Sequence, residues 1–86
     1  MSKWSRLECD VRIHRSKNIS LNKLAEDIFD DYHIKVATTD YGHYYSHLVV
    51  INFEEDGGYA YKLADDFVSY LREKHCDVEG EVYVSI

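Results

Sequence analysis

Along this chain the spacing of apolar residues changes in a definite order. It runs at period two, then 3.6, then two twice over, then 3.6, then two. Period two marks a half-buried strand and 3.6 a helix packed on one side, so the order predicts strand, helix, hairpin, helix, strand. In positions 4–14, Leu7, Cys9, Val11 and Ile13 alternate with Trp4, Arg6, Glu8, Asp10, Arg12 and His14. Asn18 and Ser20 offer N-cap oxygens, with Ser20 the better placed. Leu21, Leu24, Ala25, Ile28 and Phe29 follow at helical spacing, with Lys23, Glu26, Asp27 and Asp30 on the opposite side.

Residues 33–41 and 44–54 read as two strands around Gly42-His43. That loop pairs Ile34 with Ile51 and Val36 with Val49, and turns Ile34, Val36, Val49, Ile51 and Phe53 inward. Lys35, Ala37, Thr39, Tyr41, Tyr44, Ser46, Leu48 and Val50 then face outward. Asp56 is a plausible cap for a second helix, which buries Ala60, Leu63, Ala64, Phe67 and Leu71 and exposes Lys62, Asp65, Asp66, Ser69 and Glu73. Val82, Val84 and Ile86 form a closing strand. The expected fold is α+β, a ferredoxin-like βαββαβ domain spanning residues 1–86. Its four-stranded antiparallel sheet has the order 4-1-3-2, with two helices on one face and the other face open.

Composition narrows the class. With 45% hydrophobic residues and one Trp, three Phe and eight Tyr, the chain can form a core. No apolar run approaches the ~20 residues that span a bilayer, and no leader pattern opens the sequence, which predicts a soluble, cytoplasmic protein. Two cysteines are too few for a disulfide framework: Cys9 reads as a buried small hydrophobe and Cys76 as a free thiol. The net charge of −6 is uneven: residues 1–17 carry five bases against two acids, and the remainder five bases against fourteen acids. A negative field over most of the surface disfavours phosphate backbones and favours basic partners.

Catalytic chemistry is hard to assemble from this chain. His43 and His47 stand four apart on a strand, where the rise of ~3.3 Å per residue separates them by ~13 Å, too far to share a metal ion. Gly57-Gly58 near Lys62 lacks phosphate-loop spacing, and Glu54, Glu55 and Asp56 would repel a phosphate there. Ser46 and His47 point to opposite faces and cannot act as nucleophile and base. The acid pairs Asp30-Asp31, Glu54-Glu55 and Asp65-Asp66 have nothing to place them across a cleft. The sequence therefore predicts no enzyme, no cofactor and no metal.

Two surfaces remain. Glu26, Asp27, Asp30, Asp65, Asp66 and Glu73 should merge into one acidic patch over the helices, flanked by Glu54, Glu55 and Asp56, tempered by Lys23–Asp27 and Lys62–Asp66 pairs. The open sheet offers Arg6, Arg12, Lys35, Tyr41, Tyr44 and Tyr83. In topology it resembles the RNA recognition motif, without aromatics at the stacking positions of the central strands. In size and acidity the chain resembles, as a class, the small inhibitors that phages direct at host nucleases, including anti-CRISPR and anti-restriction proteins. That resemblance implies docking on the basic surface of a protein partner such as a nuclease or CRISPR effector. Two alternatives are RNA binding by the open sheet and a ligand-sensing regulatory homodimer, formed through a sheet edge or the open face.

Overall fold

The computed structural model describes residues 3–85, and at 84 and 85 the backbone only. The elements run β1 (Trp4–His14), α1 (Leu21–Ile28), β2 (Tyr32–Asp40), β3 (Tyr44–Phe53), α2 (Gly57–Glu73) and β4 (Asp77–Ser85). All strand pairs are antiparallel, in one sheet of order β2-β3-β1-β4. Counted from the β4 edge, this is 4-1-3-2. The register joins Ile34 to Ile51 and Val36 to Val49. The loop between β2 and β3 closes with the Tyr41 N–H donating to the Tyr44 carbonyl at 3.0 Å. Within this two-residue loop only the first position, Gly42, has a positive φ (+89°), which is the type II′ pattern that suits strand twist.

Both helices lie on the face presented by Leu7, Cys9, Val11, Ile13, Val49, Ile51 and Phe53. Leu21, Leu24, Ala25, Ala60, Ala64, Phe67 and Leu71 join those residues in one buried cluster. All three phenylalanines meet there: Phe29 lies 4.5 Å from Phe53 and 6.0 Å from Phe67, centroid to centroid. Phe29 is the first residue past α1. Its extended backbone (φ −106°, ψ 137°) ends the helix and turns the ring into the core. Ser20 caps α1 by accepting from the Lys23 N–H at 3.3 Å. Asp56 occupies the N-cap position of α2 without a side-chain cap bond; its carboxylate lies 3.7 Å from the Lys3 ammonium instead.

Two expectations fail for physical reasons. Val36 faces the helical side yet is 39% exposed. α1 has eight residues, about 12 Å of helix at 1.5 Å per residue, while the nine and ten residues of β2 and β3 extend roughly 30 Å. The far half of the hairpin therefore overhangs the helical layer. The last strand starts at Asp77 rather than at Glu81, because Gly80 occupies the inward position opposite Cys9 where a hydrophobic residue would have revealed the alternation. Val78 is buried and Val82 packs against the core. The inward placement expected for Val84 and Ile86 lies outside the described residues. Cys9 is buried, its thiol pushed up to about 11 by burial and then by Asp10; Cys76 is also buried and free.

Candidate docking surfaces

The end of the molecule where α1 stops and α2 begins concentrates carboxylates. The Glu54 N–H donates to the Asp31 carbonyl at 2.9 Å, which ties the α1–β2 connection to the β3–α2 connection. Ser5, buried at the start of β1, donates its hydroxyl to the Glu55 carbonyl at 2.7 Å. These main-chain anchors bring Asp30, Asp31, Glu54 and Glu55 around one shallow depression that Tyr59 also lines. Asp56 stands next in the chain, and Lys3–Asp56 is the one ion pair there among the described residues. Tyr59 is 55% exposed, an amphipathic ring beside these acidic residues. Neither Ser5 nor Tyr59 stands out in the apolar periodicity as a functional position. Serine on the apolar parity of a strand was the available signal, because a buried hydroxyl needs a partner.

The remaining helix-face carboxylates do not merge into the expected patch. Helical periodicity divides them. Asp27 faces α2 beside Lys23, Tyr70 and Lys74, so cations border it, although no Lys23–Asp27 ion pair forms among the described residues. Glu26, one position earlier, is exposed and does not line that groove. Asp66 pairs with Lys62 at 3.1 Å, and Glu73 shares its flank of α2 at helical spacing. Asp65 lies on the other flank, in a groove against β4 with Tyr61, Arg72 and Val82.

On the open face of the sheet, the expected basic and aromatic mixture has an acidic centre. Register sets Glu8 opposite Glu81 and Asp10 opposite Glu79, like-charge pairs that a buried or phosphate-bound face would not favour. Arg6 lies 3.7 Å from Glu8, Arg12 pairs in register with Asp77, and the Tyr83 hydroxyl donates to Glu81. Tyr41 and Tyr44 stack on each other at 5.1 Å, at the hairpin end, while Tyr83 sits beside Arg6 at the opposite end of β1. Lys35 is exposed on the edge strand and Leu48 is 45% exposed. The six sheet-face residues are thus scattered around carboxylates. Glu79 and Asp77 belong to this face because β4 begins at Asp77, ahead of the closing strand that the sequence pattern predicts.

The overhanging hairpin carries a polar cluster on its helix side. Arg15 donates to Asp40 and to the Gly42 carbonyl, each at 2.6 Å, and its guanidinium lies 5.0 Å from the Tyr45 centroid. The Arg15 hydrogen bond, with the Gly42 N–H, holds the Asp40 carboxyl below its ordinary range. His47, facing the same side, lies 2.8 Å from the Thr38 hydroxyl through Nδ1 and stacks on Tyr45. Burial lowers the His47 pKa from its ordinary 6.5. A depressed folded-state pKa means that the unfolded chain takes up this proton first. The stabilisation is therefore full above 6.5 and falls away as pH drops through the folded value. Thermal melts from about pH 8 to about pH 5 should show the wild type losing more stability than His47→Gln; parallel losses would contradict the assignment.

Among the described residues no three His, Cys, Asp or Glu side chains come together to hold a metal ion, and no helix is long and apolar enough to cross a membrane. No family model and no curated protein matches the chain. In fold it is similar to a de novo designed protein, Foldit4, with a TM-score of 0.71 at 13% identity over 96% of this chain and 99% of that one. It is also similar to part of a tripeptidase from Staphylococcus aureus subsp. aureus Mu50, with a TM-score of 0.50 at 9% identity; the match covers 96% of this chain and 29% of that one. At these identities the likeness concerns the fold alone.

Proposed function

We propose that this chain is a non-enzymatic interaction protein. On a ferredoxin-like scaffold, its acidic end docks on the basic, nucleic-acid-binding surface of a protein partner such as a nuclease, in the manner of phage anti-restriction or anti-CRISPR inhibitors. The observation that carries this reading is the pinned junction of two acidic connections, Glu54 N–H to Asp31 carbonyl and Ser5 hydroxyl to Glu55 carbonyl. Because these bonds hold the backbone of both connections, the four acidic residues stay grouped at one end while their carboxylates remain free to meet a partner. They stand where a basic groove would otherwise meet phosphates. Tyr59 supplies the aromatic anchor that interfaces favour, a large contact area at low entropic cost. The acidic centre of the open sheet makes RNA binding on that face the weaker reading, since Glu8, Asp10, Glu79 and Glu81 would oppose a phosphate backbone. The test is capture of basic nucleases by the wild type and by Asp31→Lys/Glu54→Lys. Capture lost on charge reversal supports the reading, and equal capture contradicts it.

A further inference from the structure

The two edges of the sheet differ in a way that bears on self-association. An edge strand presents unpaired N–H and carbonyl groups, and charged side chains are a common means of keeping other strands off it. Edge β4 carries Asp77, Glu79 and Glu81 on one face. Pairing β4 antiparallel with a second β4 sets these carboxylates against one another in every register centred between residues 78 and 81. Edge β2 carries no acid from Tyr32 to Thr39, and its one acid, Asp40, is engaged by Arg15 and by the Gly42 N–H at 2.8 Å.

The hairpin also fixes which β2 groups are free. The closing bond from Tyr41 to Tyr44 makes the odd residues of β2 the ones bonded to β3. By alternation, the N–H and carbonyl groups of Ile34, Val36 and Thr38 point to the open edge. From these constraints we infer that β2 pairs with β2 of a second copy about a two-fold axis at Val36, giving a continuous eight-stranded sheet. Val36 is the midpoint of the nine residues Tyr32–Asp40, so this register pairs the strand along its whole length, with about ten ladder hydrogen bonds. It sets Val36, 39% exposed in the single chain, against Val36 of the second copy. Lys35 falls opposite Ala37 and Ile34 opposite Thr38, so no two like charges are directly opposed. The short α1 leaves this half of the hairpin uncovered, and nothing from the helical layer blocks the approach at Val36.

Sedimentation equilibrium across micromolar concentrations tests the inference. The wild type should sediment at twice the 10.1 kDa chain mass. Val36→Lys, which brings two ammonium groups together at the axis, should weaken the dimer roughly tenfold or more with an unchanged circular dichroism spectrum. Val36→Cys should cross-link to itself on oxidation, and Glu79→Lys on the other edge should leave the dimer intact. A wild-type monomer, or a dimer that Val36→Lys does not weaken, overturns the inference.

Discussion

Replacing Gly80 with alanine is expected to destabilise the protein by about 1–3 kcal/mol, roughly 5–20 °C in melting temperature for a domain of this size. A Cβ at Gly80 would stand 2.5 Å from the Cys9 Cβ, 2.6 Å from the Glu8 carbonyl oxygen and 2.9 Å from the Cys9 Cα. None of these is the end of a flexible side chain, so β4 must move off β1 along the register that joins them. An opposing effect is real: alanine restricts the unfolded chain and, where its conformation fits, stabilises by about 0.4–1 kcal/mol. The clash is larger, and its sign wins. Gly58 supplies the contrast, since it lies in the first turn of α2 with nothing within 4 Å of an added Cβ. Gly58→Ala should hold or raise the melting temperature while Gly80→Ala lowers it. Differential scanning calorimetry of the two variants reads both signs; equal effects would show that β1 and β4 are not so closely apposed.

The second large effect concerns binding. Asp31→Lys/Glu54→Lys is expected to weaken partner binding roughly ten- to a hundredfold. Fold stability should change by no more than about 1 kcal/mol. The bond that joins the two connections runs through main-chain atoms, so the variant keeps the geometry and inverts the charge. Relief of repulsion among Asp30, Glu55 and Asp56 opposes the loss of an acid near the N-terminus of α2, where the helix dipole favours negative charge. Asp65→Lys, on the flank of α2 facing β4, should leave binding unchanged. Isothermal titration of the variants against a captured partner separates the two sites.

The fold was readable where alternation was regular. The bounds of β1, the hairpin register and the stripe of α2 follow from period and from the parity of a two-residue loop. Legibility failed where one residue type concealed a position. Gly80 holds an inward place without a side chain, so the first half of β4 shows no apolar alternation, and nothing in the sequence pattern places Asp77 and Glu79 on the open face. Val36 satisfied the inward parity, but parity cannot report that α1 ends too soon to cover it. The candidate site shows the same division. Asp30, Glu54 and Glu55 were legible as acids near helix ends, whereas their convergence depends on the Asp31–Glu54 bond and on Ser5, contacts between residues far apart in the chain. Asp65 and Asp66 are sequence neighbours, yet 100° of helical rotation sends them to different flanks.

The central claim is that docking is carried by the fixed charges of the acidic end. The most direct measurement is the salt dependence of affinity for a basic nuclease, compared between the wild type and Asp31→Lys/Glu54→Lys, with duplex DNA as competitor. Charge-carried docking predicts a steep fall in wild-type affinity with salt, a shallower slope for the variant, and displacement by the DNA. Salt-independent binding, shared by both proteins and indifferent to DNA, would contradict it.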